Sequence, residues 1–107
     1  MIQAVFQQNS SGGINRFAIT GHADSGPYGQ DIVCAAVSGL AITMINGLQQ
    51  VPGSNPQVTV DEENGGLMKV SQLPNDHDTQ LLLSTFFNGI FDMAENYSDF
   101  LTVKLDK

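Results

Sequence analysis

The chain has 107 residues, a length that predicts one domain, residues 1–107, with a single core. Apolar residues make up 41% of it and charged residues 14%, a balance that excludes an intrinsically disordered chain. Four Lys and Arg against eleven Asp and Glu give a formal charge of -7, which argues against a nucleic-acid backbone as partner and suits a basic peptide or protein. The chain shows neither a run of about 18 consecutive apolar residues nor a basic N-terminal segment, so we expect a soluble, cytoplasmic protein.

Two strands and a helix are predicted in the first half of the chain. The segments IQAVF and RFAIT alternate apolar and polar residues, which puts Ile2, Ala4 and Phe6 on one face of the first strand and Phe17 and Ile19 on one face of the second. The SSGG between them is typical of a hairpin turn. A helical apolar stripe follows, with Asp31 as the expected N-cap because its carboxylate can accept hydrogen bonds from the first turn. The members of this stripe are Val33, Val37, Leu40, Ala41, Met44 and Leu48.

The residue pattern in the second half of the chain predicts a hairpin, a helix and a last strand. Asn64-Gly65 is the expected turn between QVTVDEE, with Val58 and Val60 inward, and LMKVSQL, which returns with Met68 and Val70. A helix follows, capped by Asn75 or Asp76. FLTVKLD is the final strand, and its alternating apolar residues are Leu101, Val103 and Leu105. The stripe expected on this helix is Leu82, Phe86, Ile90, Met93 and Tyr97. The order ββαββαβ predicts an α/β (α+β) two-layer sandwich, a mixed five-stranded sheet with both helices on one face.

Cys34 is the chain's only cysteine and lies near the predicted start of the first helix. With Asp31 as N-cap, Cys34 is the third helical residue, where free amide groups and the helix dipole stabilise a thiolate. The backbone amides of Val33 and Cys34 are then candidate oxyanion donors. Cys34 and Ser38 lie at the edge of the apolar stripe, which predicts partial exposure. An inert cysteine packed beneath the sheet is the alternative.

His22 is the candidate catalytic base, since it directly follows the second predicted strand. The chain returns to the same sheet before Cys34, so we expect the strand end and the helix start to be neighbours. A loop histidine without a partner is the alternative. Asp24, Asp31 and Ser38 are candidates to orient the imidazole, and the sequence does not choose among them.

The segment ADSGPYGQ joins His22 to the first helix. Its two glycines, Gly26 and Gly29, and the proline between them permit turns and hinge motion, as in a lid or a substrate-binding loop. Tyr28 would give such a loop an aromatic contact with substrate. An ordinary surface loop is the alternative.

The whole stretch GHADSGPYGQDIVCAAVS resembles the motif of the ribosomal-processing cysteine protease family, called Prp. That motif reads G-H-A, a short glycine-containing loop, then G-x-D-I-V-C-A-A-x-S. Every element of it is present here, and the resemblance extends over the whole chain. A motif of this length is far more specific than an isolated histidine and cysteine.

The resemblance implies a bacterial cytoplasmic protease that removes a short N-terminal extension from a large-subunit ribosomal protein, number twenty-seven in the usual count. The extension ends in an aromatic pair, followed by a small residue and a lysine-rich tail. The family pattern implies Cys34 as nucleophile, His22 as base, residues 23–30 as a mobile loop, and a homodimer. It implies neither a cofactor nor a metal, and neither nucleic acid nor membrane as a partner.

Two other functions remain open on the sequence. The first is a ribosome-associated module that binds a peptide without cutting it. The second is a metal-dependent enzyme that uses His22, Cys34 and an aspartate as ligands. The other histidine, His77, is expected to be a solvated residue at the start of the second helix.

Overall fold

A computed structural model describes residues 1–21, 30–61 and 66–107, without the side chains of residues 30 and 31. The elements are β1 (Ile2–Gln8), β2 (Ile14–Thr20), α1 (Gln30–Gln49), β3 (Gln57–Asp61), β4 (Leu67–Ser71), α2 (His77–Asn96) and β5 (Leu101–Asp106). The predicted order ββαββαβ is therefore confirmed.

The five strands form one mixed sheet in the order β3-β4-β2-β1-β5. β1 and β5 are parallel, and the other three neighbouring pairs are antiparallel. It follows that β3 runs parallel to β2 and that β5 runs parallel to β4. The connections through α1 and α2 are thus parallel crossovers, and the right-handed rule places both helices on the same face. The predicted two-layer sandwich is confirmed.

The crossovers also decide which strands each helix covers. α2 connects β4 to β5 and lies over β2 and β1, where the ring centroids of Phe6 and Phe87 are 5.0 Å apart and those of Phe17 and Phe86 are 5.1 Å apart. α1 connects β2 to β3, with β4 between them. α1 therefore covers the β4 side of the sheet, between α2 and the edge strand β3.

The core lies between the sheet and the two helices, largely as the alternating and helical patterns predict. The buried predicted residues are Ile2, Ala4, Phe6, Phe17, Ile19, Val33, Val37, Ala41, Met44, Leu48, Met68, Val70, Phe86, Ile90 and Leu101. Val58, Val103 and Leu105 are partly buried against this core.

Three residues of the predicted apolar faces are exposed. Leu40 is 41% exposed because the buried arc of α1 is turned toward Ile45, which the sequence did not single out. Tyr97 is 49% exposed because it is the C-cap of α2, with a φ of -132°, and so leaves the helical register. Val60 is 52% exposed because β3 is an edge strand that the helix layer covers only in part. On α2, the buried positions that the sequence missed are Thr79 and Leu83.

The opposite face of the sheet is polar, and no described element covers it. Because Phe17 and Val70 face the core, their neighbours Arg16 and Lys69 face the open side, and the alternation along β5 places Lys104 there as well. Three of the chain's four Lys and Arg therefore lie on this face.

α1 is also unusually apolar. Ile32–Gln49 has a mean hydropathy of 1.7, enough in length and composition to span a membrane, which the count of consecutive apolar residues did not anticipate. The same window supplies six core residues, from Val33 to Leu48. Core helices of globular domains commonly pass the same test.

Candidate active site

The chain segments that carry the motif meet at one end of the sheet. Thr20 at the end of β2 pairs with Gln3 near the start of β1, and Asp61 at the end of β3 pairs with Leu67 at the start of β4. Since β2 and β3 are parallel, both end here, and α1 must begin here to cross back over the sheet. The N-terminal turns of α1 therefore lie at the same end of the molecule as the last residue of β2.

Gly21 directly follows β2 and has a backbone conformation that requires glycine. Its φ is +82°, in the left-handed region, and a Cβ at this position would overlap the backbone carbonyl oxygen of Met1. The glycine of the G-H-A motif thus allows the chain to turn while packed against the start of β1. No sequence pattern assigned a role to this glycine, although its place directly before a candidate base is a signal.

α1 begins at Gln30, so the prediction that Asp31 is the N-cap was wrong. Asp31 is the second helical residue, and Cys34 is the fifth. The helix dipole stabilises an aspartate in the first turn just as it stabilises one at the N-cap. The residue type alone therefore could not distinguish the two positions. In a helix with this start, the free amides are those of residues 30–32, while those of Val33 and Cys34 pair within the helix.

Cys34 and Ser38 are both half-buried, as the edge of the apolar stripe predicted. Cys34 packs against the core beside fully buried Val33 and Val37, so its side chain is held by the layer beneath it. Ser38 is four residues later and therefore lies one turn along the same side of α1.

The side of α1 that carries these two residues faces away from α2. A Cβ on Gly47 would lie 3.8 Å from Leu82 Cδ1, so the Gly47 side of α1 faces α2. At 100° per residue, Cys34 and Ser38 lie about 140° and 180° around the helix from Gly47. Cys34 and Ser38 therefore point down and outward, toward the side of the sheet that ends in β3.

Several predicted site residues lie outside the described residues. They are His22, Asp24, Gly26, Tyr28 and Gly29, together with the turn at Asn64-Gly65 and the side chain of Asp31. Their predicted roles, and the predicted distance between His22 and Cys34, stay predictions.

His77, in contrast, lies where it was expected. It is the first residue of α2, its side chain is 85% exposed, and its Nδ1 is 3.4 Å from Asp78 Oδ1. α2 begins after β4, at the end of the sheet opposite Cys34, so His77 cannot act on the thiol. Within residues 1–21, 30–61 and 66–107, no three His, Cys, Asp or Glu side chains group as metal ligands.

Residues 1–102 match the family described as "Cysteine protease Prp". The chain belongs to the Prp family. It is a cysteine protease, and its sole cysteine is Cys34.

Curated Prp relatives match almost the full length of the chain. The ribosomal processing cysteine protease Prp of Staphylococcus aureus is 29% identical over 99 residues, which cover 92% of this chain and 93% of the relative. The Prp of Bacillus subtilis is also 29% identical, over 109 residues that cover 96% of each chain.

Solved structures of similar proteins share the fold. A Streptococcus mutans protein is 39% identical, with a TM-score of 0.91 and coverage of 99% of this chain and 97% of the other. Prp from S. aureus in complex with a substrate peptide is 26% identical, with a TM-score of 0.91 and coverage of 99% and 100%. The same enzyme with a covalently linked product peptide has 28% identity, a TM-score of 0.86 and the same coverage.

Proposed function

We propose that this protein removes the N-terminal extension of a large-subunit ribosomal protein, number twenty-seven in the usual count. Cys34 is the nucleophile and His22 the general base and acid. The observation that carries the proposal is the single cysteine, half-buried and fixed by core packing in the first turns of α1, in a chain of the Prp family. Relatives named as ribosomal processing proteases support the class of substrate.

The chemistry follows that of thiol proteases. His22 takes the proton of the Cys34 thiol, and the thiolate attacks the carbonyl carbon of the scissile peptide bond. The oxyanion that forms accepts hydrogen bonds from the free amides of the first turn of α1. Its collapse breaks the C–N bond, His22 gives its proton to the leaving amine, and a thioester remains on Cys34. Water, deprotonated by His22, then hydrolyses the thioester and regenerates the thiol.

The charge of the protein suits the proposed substrate. A chain with a formal charge of -7 attracts a lysine-rich polypeptide and lowers the free energy of its encounter complex. Ser38 is proposed to support the site, because it lies one turn from Cys34 on the same side of α1. Asp31, in the first turn, is the other proposed supporting residue, and Gly26, Tyr28 and Gly29 are proposed to belong to a substrate-binding loop.

The proposed reaction is tested by incubating the full-length ribosomal-protein precursor with the purified protein, a reductant and a chelator. Mass spectrometry should find a single cut after the aromatic pair. Cys34→Ala and His22→Ala should abolish this cut. Exposed Ser84→Ala, on α2, is a matched control that should cut at the wild-type rate.

The same experiment separates the alternatives. Intact precursor that nevertheless binds would favour a non-catalytic peptide-binding module. Cleavage that disappears only with the chelator would favour a metal-dependent enzyme. Either result would contradict Cys34 as the nucleophile.

We also propose that the protein is a cytoplasmic homodimer. The outward side of α1 supports the dimer, because the apolar side chains of Ile32 and Ile42 are exposed there. Light scattering coupled to size exclusion should give twice the monomer mass of 11.5 kDa. A mass of one chain at micromolar concentration would contradict it.

A further inference from the structure

The sheet has two edges, and they differ in charge and in their distance from Cys34. β3 is one edge and β5 is the other. The outer edge of a strand presents N–H and C=O groups that an extended peptide can pair with. Which edge a substrate would use is decided by the layer above the sheet and by the charges along each strand.

The catalytic side of α1 lies above the β3 edge. α1 covers β4, its Gly47 side faces α2, and Cys34 and Ser38 lie on the opposite side of the helix. α1 also begins at the end of the sheet where β3 ends, so Cys34 lies near the Val60 end of β3. The β5 edge lies beyond α2, with the whole second helix between it and Cys34.

β3 carries two apolar side chains on the side that faces α1, Val58 and Val60, which we call the apolar shelf. Val58 and Val60 pair with Val70 and Met68, two core residues, so both valines point toward the helix layer. Val58 is partly buried against the core, whereas Val60 is 52% exposed. Val60 therefore leaves an exposed apolar side chain between the open edge of β3 and the side of α1 that carries Cys34.

Charge favours the same edge for a basic peptide. β3 carries no Lys or Arg and ends in Asp61, which two glutamates follow in the sequence. On β5, Lys104 Nζ lies 3.4 Å from Asp106 Oδ1, which offsets its charge, and Lys107 follows the strand, while Arg16 and Lys69 occupy the open face of the sheet. A basic segment is therefore repelled by the open face, meets no net negative charge on β5, and is attracted to β3.

We infer that the substrate binds as an added β-strand along the outer edge of β3, with one of its side chains on Val60, which brings the scissile bond to Cys34. This inference rests on the proposed function for the identity of the peptide. Backbone pairing supplies affinity that is independent of sequence, and the shelf selects an apolar side chain near the cut.

The test is a set of peptides that span the cleavage junction, each with one backbone amide N-methylated. In an added strand only every second amide pairs with the edge, so binding should fall three- to tenfold at alternate positions and stay within twofold at the others. Binding is measured by fluorescence polarisation on Cys34→Ala, so that cleavage is not required. Val60→Asn should weaken binding of the unmodified peptide severalfold, whereas Leu81→Asn, at a similarly exposed apolar residue of α2, should not.

The outcomes separate the docking mode from the proposed function. The docking mode alone would be overturned if the precursor is cut but all N-methylated peptides bind equally well. It would also be overturned if the precursor is cut and Val60→Asn binds the unmodified peptide as tightly as the protein without this substitution. A period-two binding series with an uncut precursor would support the docking mode and overturn the proposed reaction. No binding of the unmodified peptide would overturn the docking mode.

Discussion

Met1 and Gly21 lie against each other at the end of the sheet, so closely that a methyl group on Gly21 would overlap the Met1 carbonyl oxygen. The contact ties the start of β1 to the residue that directly precedes the proposed base, His22. Backbone packs on backbone here, so neither partner can yield by a change of rotamer. The residue before the proposed base is therefore held by the sheet itself.

Gly21→Ala should lower both stability and cleavage. The left-handed φ of +82° costs alanine about 1–2 kcal/mol, and the overlap with Met1 adds to it. Gly53→Ala is a matched control, because Gly53 has a φ of +80° but no atom near its would-be Cβ. In urea denaturation, Gly21→Ala should lose at least about 1 kcal/mol more than Gly53→Ala. Equal losses would mean that the Met1 contact relaxes without cost.

Asp76 caps α2 and should make stability depend on acid pH. Its carboxylate accepts a 2.7 Å hydrogen bond from Thr79 Oγ1 and a 3.1 Å bond from the Thr79 amide, and these bonds lower the pKa of Asp76. A lowered folded-state pKa gives stability that is present above the ordinary aspartate pKa, about 3.9. That stability is lost as the pH falls through the lowered value.

Asp76→Ala should therefore melt at a lower temperature than wild type at pH 7, and the difference should shrink in strong acid. Asp92→Ala removes a charge from the exposed side of α2 without removing a cap and serves as control. Melting curves followed by circular dichroism between pH 7 and pH 2 would measure both. A difference that persists unchanged at pH 2 would show that the carboxylate charge is not what stabilises the cap.

Gln80 joins α2 to the start of β2. Its Oε1 accepts a 2.8 Å hydrogen bond from the Ile14 amide, and its Nε2 donates to the carbonyls of Ile14 and Pro74, both at 2.9 Å. Gln80→Leu should cost about 2 kcal/mol, because three partly buried backbone groups lose their partner at once. Thr85→Ala, which removes one exposed bond to Leu81, should stay within about 0.5 kcal/mol. Similar losses in chemical denaturation would contradict the role of Gln80.

Phe6 is the centre of the aromatic core. It is fully buried and contacts Phe17, Phe86 and Phe87 with ring centroids 5.0–5.8 Å apart. Phe6→Leu should lower the free energy of unfolding by about 1–2 kcal/mol, because the smaller side chain leaves a void and loses the ring contacts. Phe91→Leu, at an exposed position of α2, should cost less than about 0.5 kcal/mol. A Phe6→Leu variant as stable as Phe91→Leu would mean that the core repacks around leucine.

Sequence patterns predicted the fold well where burial has a simple period. Alternation identified Ile2, Ala4 and Phe6, and the polar residues before a helical stripe narrowed the cap of α2 to Asn75 or Asp76, of which Asp76 is the cap. The patterns failed where a neighbouring element decides exposure, as at Val60, whose burial depends on how far α1 reaches over the edge strand. The Met1–Gly21 contact joins residues twenty positions apart through β-pairing, so no local pattern could indicate it.

The sequence also predicted only part of the candidate site. The edge position of Cys34 and Ser38 on α1 followed from helical geometry and was confirmed. The helix start did not follow, because an aspartate suits both the N-cap and the first turn. The side of the molecule on which Cys34 lies depends on the crossover of α1 over β4, which is a property of the whole sheet.

The pairing of β1 with β5 has a consequence for how the protein is made. β1 leaves the ribosome well before β5, yet the two strands are neighbours, and the Ile2 amide donates a 2.8 Å hydrogen bond to the Phe100 carbonyl. Synthesis at about 5–20 residues per second leaves β1 without this neighbour for several seconds. During that time the Met1–Gly21 end of the sheet lacks its flanking strand. The sheet of each new molecule should therefore be complete only once β5 has been synthesised and has paired with β1.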